Sequence, residues 1–502
     1  MRRAPERNHL RRRIAPSHMN RILPILFFSA LLASVSSARN AKPNIVFIFT
    51  DDQAPDTVAA WNTWGNDASV IKTPNMDRLV HSGTSFQLTY NMGAWQGAVC
   101  VSSRASLNTG RFLWHAQAAE NAKYREQLDG GLFWSQRMKS AGYETYMTGK
   151  WHVTAPTDRI FDHVIHERPG MPSTVKTAYQ RPVEGQPDAW HPWDKENGGY
   201  WKGGRHWSEV LADDAETFIH EAAGKQKPFF MYLAFNAPHD PRQAPESYVD
   251  MYPRDTVKVP ENFQPLYPHH QAMALGSASA KALRDEALAP FPRTEFAIKT
   301  HRQEYYALVT HTDAQIGRIL AALDKAGVAE NTYIIFTADH GLAVGRHGLI
   351  GKQNMFEHSL RVPFVIVGPD IPKDRSIATR IYLQDAMATT LELAGADARE
   401  VEFRSVLPLI RGERKIQYDA IYGAYMKNQR AVIEGDHKLI LYPTARISLL
   451  FDLSNDPLEM HDLSNKPGSQ AVKQRLFSRL RKLQVETGDT LDLTKAYPGL
   501  AS

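Results

Sequence analysis

Short apolar runs rich in β-branched and aromatic residues recur along the chain at 45–50, 143–148, 229–235 and 333–337. Runs this short, with no polar alternation, are the pattern of parallel strands buried on both faces. Each gives way at once to polar residues: Asp51-Asp52, Lys150 with His152, His239-Asp240, and Asp339-His340. Helical periodicity fills the gaps, at 75–82 behind Thr73-Pro74 and over the long amphipathic stretch 304–326. Strands alternating with helices predict an α/β fold, a large mostly parallel sheet sandwiched by helices. Ligands of such sheets bind outside the carboxyl ends of the strands, so the four polar segments are expected to gather in one place.

Further along, the pattern changes to closely spaced strand candidates at 420–425, 430–434, 438–442 and 449–452, then an amphipathic helix at 472–487. This predicts a smaller α+β domain with an antiparallel sheet, residues 399–502, joined through Gly395-Ala396-Asp397 to a catalytic domain of residues 41–398. The 502 residues, 43% hydrophobic and 23% charged, are ordinary for a globular chain with a sizeable core.

The net charge of +5 misleads, because seven arginines and one glutamate place +6 in the first 38 residues and leave −1 for the rest. That excludes the basic field of a nucleic-acid binder. Arg21 precedes an apolar run at 22–35, and Ser36-Ser37-Ala38 follows it. This is the layout of a signal peptide over 1–38, with cleavage after Ala38 and Met19 as a possible true start. The run is shorter than the ~20 residues that span a bilayer, so the expectation is an exported protein, periplasmic or secreted, without a stable membrane anchor.

Cys100 is the single cysteine, so no internal disulfide can form, and its thiol is either a buried bystander or a reactive group. A stretch at 179–207 holds Trp190, Trp193, Trp201 and Trp207 among His191, Lys202, Arg205 and His206. It suits either a platform for sugar rings or a loop pinned by its own aromatics.

The segment Cys100-Val101-Ser102-Ser103-Arg104, continuing to Thr109-Gly110, resembles the signature of the sulfatases, formylglycine-dependent enzymes of the alkaline-phosphatase superfamily. The likeness continues in order at Asp51-Asp52, Gly149-Lys150-Trp151-His152, Pro238-His239, Asp339-His340-Gly341 and Gly351-Lys352, and at 451–457 in the tail. One departure stands out: Ser102 occupies the place of the usual proline, which bears on which maturation enzyme accepts the chain.

The resemblance implies that a formylglycine-generating enzyme oxidises Cys100 to 3-oxoalanine, and that Asp51, Asp52, Cys100, Asp339 and His340 surround a metal ion. Converging carboxylates repel one another unless a cation holds them ionised, and hard oxygen donors select Ca²⁺ or Mg²⁺. Calcium is favoured over magnesium, and His340 stands either as a ligand or just behind the ligands. A sulfate ester also needs a cationic clamp, for which Arg104, Lys150, His152, His239 and Lys352 are the candidates. By resemblance, the hydrated aldehyde attacks sulfur, His239 or Lys352 protonates the leaving oxygen, and His152 removes the proton whose loss expels sulfate.

The expected activity is hydrolysis of a sulfate ester, of a sulfated carbohydrate or another small ester. The alternatives are a phosphonate or phosphodiester hydrolase of the same superfamily, and a non-catalytic receptor for sulfated glycans in which Cys100 stays unmodified.

Overall fold

The segment Asn44–Thr50, β1, is apolar on both faces and lies buried at the centre of the main sheet. The computed structural model describes residues 42–61, 70–273 and 283–501, so the expected signal peptide lies outside the described residues. The other strands of this sheet are β2 (Thr84–Phe86), β3 (Glu144–Lys150), β4 (His163–Arg168), β5 (Phe229–Ala234), β6 (Thr332–Ala338), β7 (Phe364–Val367) and β8 (Arg375–Ile377). Their spatial order is β8-β2-β7-β6-β1-β5-β3-β4. Every pairing is parallel except those of β7, which runs antiparallel to both β2 and β6. The expected α/β architecture is therefore present, with one reversed strand that the apolar pattern does not distinguish.

Register carries the strand ends to one place. β1 and β6 align Thr50 with Ala338, so Asp51 and Asp339 emerge side by side, and the Asp339 N–H donates to the Thr50 carbonyl at 3.2 Å. On the other side β5 aligns Ala234 with Phe49 and with Gly149 of β3. Gly149 has φ +94°, and a Cβ there would run into the Ala234 carbonyl. Only glycine lets β3 turn at that point and deliver Lys150 beside β1.

The long helix begins earlier than its amphipathic pattern predicts, at Glu295–Lys325, capped by the Thr294 hydroxyl accepting from the Ala297 N–H at 3.1 Å. Its first half hides from a hydrophobicity pattern because Thr300, His301, Arg302 and Glu304 are themselves buried. Three of the four tryptophans in the 179–207 stretch resolve as internal packing, while Trp193 is half-buried and stacks on the exposed His191, ring centroids 5.0 Å apart. Trp190, Trp201 and Trp207 are at most 7% exposed, and the Trp201 and Trp207 indoles donate to the Pro192 and Lys202 carbonyls. These three rings hold their own loop and offer no open face to a sugar.

The C-terminal strands β9 (Ala420–Tyr425), β10 (Gln429–Glu434), β11 (His437–Tyr442) and β12 (Ile447–Asp452) form the expected antiparallel meander. A two-residue strand, Gly93–Ala94, adds to its β9 edge in parallel and ties the chain just before Cys100 to this sheet. One apolar core runs from β1 through the meander to the helix Ser469–Thr487, and a second packs the other face of β1 against the helix Glu295–Lys325. No helix among the described residues is long and apolar enough to cross a membrane.

Candidate active site

The helix α1 (Val99–Thr109) is buried throughout and ends on Gly110 in the left-handed conformation, the usual glycine stop. Cys100 lies in its first turn, 2% exposed, where the helix N-terminus contributes positive potential. Its thiol donates to Asp51 Oδ1 at 3.1 Å and lies 3.9 Å from Asp52 Oδ1. One donor atom from each of Asp51, Asp52, Asp339 and Cys100 falls within 4.8 Å of all the others. His340 is not drawn into that group. It is buried next to Asp339 in the chain, hydrogen-bonded to the Val99 backbone and with Nε2 unpartnered.

Each carboxylate has its own cation. Lys150 pairs with Asp51 and Lys352 with Asp52, and Arg104 Nε donates to Asp339 Oδ2 at 2.9 Å. Arg104 Nη1 also donates to the Lys150 carbonyl at 2.7 Å, and the guanidinium lies over the Phe49 ring, 4.6 Å from its centroid. Burial and the neighbouring Asp339 push Asp51 up to about 6, and burial raises Asp52 well above the carboxylate range despite Lys352. Asp339 goes the other way: burial alone would raise it, but Arg104 and Lys150 hold it well below. Burial and the charges of Asp339 and Asp51 also push the Cys100 thiol far up, so the unmodified sulfur stays protonated and is a poor nucleophile.

Three buried carboxylates on one point, two of them held above their ordinary range, form an oxygen-rich site that a divalent cation would keep ionised. The unpartnered buried Nη2 of Arg104 adds a donor to the same spot, 4.0 Å from Asp51 Oδ1. The donor set fits a hard cation.

Above this cluster opens a cavity of about 630 Å³, with Cys100, His152, His239 and Lys352 on its wall. His239 Nδ1–H donates to the Asp240 carbonyl at 2.7 Å, which leaves Nε2 facing Asp52 Oδ2 at 3.6 Å. His152 sits on a left-handed backbone, φ +57°, and burial together with Lys150 and Arg104 pushes its pKa down to about 3. That setting keeps the ring neutral. The motif residues Asp51, Asp52, Cys100, Arg104, Lys150, His152, His239, Asp339 and Lys352 thus meet at one site, with His340 next to Asp339 in the chain and outside the group of converging donor atoms.

Residues 43–396, over two thirds of the chain, match the family described as Sulfatase. The chain belongs to the sulfatase family. Residues 345–486 of this sulfatase also match the family described as N-sulphoglucosamine sulphohydrolase, C-terminal. An N-acetylglucosamine-6-O-sulfatase of Bacteroides thetaiotaomicron is 26% identical, over 93% of this chain and 91% of the relative. Among solved structures, one in complex with its substrate D-glucosamine-2-N,6-O-disulfate superposes with TM-score 0.65 at 22% identity, covering 89% of this chain and 99% of the other. A phosphonate monoester hydrolase from Silicibacter pomeroyi superposes with TM-score 0.69 at 21% identity, covering 89% and 96%. The large parallel sheet with its smaller antiparallel partner is the alkaline-phosphatase-like fold, and the protein is a sulfuric ester hydrolase.

One wall of this sulfatase's cavity has no motif to announce it. Arg284 is clamped between Asp240, whose Oδ1 accepts from Nη2 at 3.0 Å, and Asp285, 2.5 Å away. Gln353 Nε2 donates to Asp285 Oδ2 at 2.8 Å, and Asp285 stands 3.9 Å from Lys352 Nζ. The only signals were adjacency, Asp240 following His239 and Gln353 following Lys352.

Proposed function

We propose that this sulfatase removes sulfate from a sulfated carbohydrate, with a formylglycine made from Cys100 as nucleophile and a bound Ca²⁺. The observation that supports this most is the placing of Cys100 on the cavity wall, 3.1 Å from Asp51 and among Arg104, Lys150 and Lys352. Asp51, Asp52 and Asp339 would hold the ion, with His340 next to Asp339 in the chain. Calcium, when bound, supplies the charge that keeps these carboxylates ionised and lowers the pKa of an oxygen beside it. The aldehyde, when hydrated, supplies one oxygen to attack sulfur and a second whose proton loss releases sulfate.

The chain's own residues supply the rest. Lys150, Lys352 and Arg104 are fixed by their carboxylate partners, so the sulfate meets positive charge already in position. Lys352 carries protons toward the leaving oxygen. His239, its Nδ1–H committed to Asp240, offers only Nε2 to the cavity. Neutral His152 takes the proton of the second oxygen. Ser102 stands where the family pattern has proline, so the maturation enzyme is one that tolerates serine at this place; in the folded chain it is fully buried, its hydroxyl accepting from the Trp95 N–H at 3.2 Å. The apolar run at 22–35 supports export with the leader removed.

The substrate class rests on the activities named for the relatives and on a cavity roomy enough for a sugar ring. Sulfate release from a panel of sulfated mono- and oligosaccharides tests it, with Cys100→Ala as control. Carbohydrate desulfation lost in that variant supports the proposal, and release that survives it contradicts the nucleophile. The likeness to a phosphonate monoester hydrolase defines the second reading. Turnover of an aryl phosphonate above that of an aryl sulfate would favour it.

A further inference from the structure

His152 has an unusual setting for a group that must take a proton. Its Nδ1 is buried without a partner, and among the described residues no carboxylate, carbonyl or hydroxyl holds the imidazole by a hydrogen bond. Histidines that move protons are ordinarily aimed by a hydrogen bond on the opposite nitrogen. Here the aim must come from packing.

The packing partner is Gly170, in the loop that follows β4 and lines the same cavity. A Cβ placed on Gly170 would lie 2.6 Å from His152 Cδ2 and closer still to Cε1 and Nε2. The ring therefore occupies the space of the missing side chain. The loop itself is tethered, because Asn236 Nδ2 donates to the Pro169 carbonyl at 2.9 Å. Asn236 is buried directly after β5, so it ties this loop to the sheet end that carries His239. On the other side, the left-handed backbone of His152 and the buried Trp151, whose indole donates to the Ala155 carbonyl at 2.7 Å, fix where the imidazole starts.

We infer that Gly170 is a positioning residue of this sulfatase: its bare Cα is the surface against which the His152 imidazole is held in the cavity. Any side chain there pushes the ring off its seat. The inference rests on the reading of His152 as the group that takes the proton whose loss expels sulfate. If so, its displacement slows release and leaves substrate binding and the first sulfur transfer largely intact.

The test is a double-mutant cycle on full-length matured enzyme with an aryl sulfate. Gly170→Ala is expected to lower kcat about 100-fold, the cost of misplacing a reacting group by an ångström or so, with KM unchanged or lower. It should release one equivalent of phenol per enzyme in a burst and then stall, with sulfate retained on the Cys100 peptide. His152→Ala should show the same burst and stall. Gly170→Ala added to His152→Ala should cost nothing more, because both act on one ring. Gly170 lies in a half-exposed loop, so unchanged melting of Gly170→Ala is expected. Wild-type kcat in Gly170→Ala, or a further loss when it is added to His152→Ala, overturns the inference. Full activity of His152→Ala overturns the reading beneath it, and the separate single variants tell the two failures apart.

Discussion

Arg104 and Asp339 face each other at 2.9 Å, Nε to Oδ2, with neither side chain reaching solvent. The pair spans α1 and the end of β6, and it fixes the guanidinium that also bonds the Lys150 carbonyl. Removing one partner of such a buried pair strands the other and costs about 3–5 kcal/mol. Arg104→Ala is therefore expected to lower the melting temperature and cut kcat by roughly 10²–10³, the loss typical of one fixed charge-stabilising donor. Arg104→Lys should recover stability in part and activity hardly at all, because an ammonium cannot make both bonds from one plane. Thermal melts beside kcat measurements check this.

Metal removal has a distinct expectation. Lys150 and Lys352 already pair with Asp51 and Asp52, so the chain should stay folded after chelation. Activity should vanish and return with Ca²⁺, less completely with Mg²⁺. Calcium at 100 times its dissociation constant should add about 2.7 kcal/mol of stability. Asp52→Asn should lose that calcium-dependent rise, as read by calorimetric melting.

The tryptophans of the 179–207 stretch make a third case. A sugar platform and a pinned loop differ in what Trp201→Ala does. Buried at 5% exposure and bonded to the Pro192 carbonyl, Trp201 should cost about 3–5 kcal/mol when truncated. KM for a sulfated substrate should stay within a factor of about three. A large KM change at unaltered stability would restore the platform.

Acid should destabilise the protein through histidines buried in neutral form. His206 caps the helix Trp207–Ala223 by accepting from the Ser208 N–H at 3.1 Å, while Nε2–H donates to the Gln243 carbonyl at 3.0 Å. Both nitrogens are used by the neutral ring, and burial, helped by His311, holds its pKa well below 6.5. Burial does the same to His301 and His358. Their stabilising effect is complete above about pH 6.5. It is lost as pH falls toward the folded values, because the unfolded chain then binds more protons. Each tenfold drop in folded proton affinity is worth about 1.4 kcal/mol. His206→Asn, which keeps a side-chain acceptor at the cap, should narrow the gap between melting temperatures at acid and neutral pH.

Much of this site was legible in the sequence because its parts sit at the ends of uninterrupted apolar strands. Asp51, Lys150, His239 and Asp339 each follow such a run, and parallel topology leaves them one place to meet. What the pattern could not carry was contact between distant polar groups. Arg284 meets Asp240 across 44 positions, and nothing local marks Arg284 as its partner. The same holds for Gly93–Ala94 joining the C-terminal sheet, a two-residue strand with no periodicity. Aromatics read equally well as a binding face or as packing, and only burial separated the two for Trp190, Trp201 and Trp207. The resemblance leaves His340 either among the ligands or just behind them, and its ring, hydrogen-bonded to the Val99 backbone, falls outside the group of converging donor atoms, a detail that residue type does not encode.

The central claim is that the group at position 100 in the active enzyme is an aldehyde and not a thiol. Mass spectrometry of the peptide spanning Ser103 and Cys100, from enzyme of known specific activity, tests it most directly. The account predicts a residue lighter than cysteine that reacts with a hydrazine, in an amount that tracks sulfate release from batch to batch. An unmodified thiol throughout, in protein that hydrolyses sulfate esters at full rate, would contradict it.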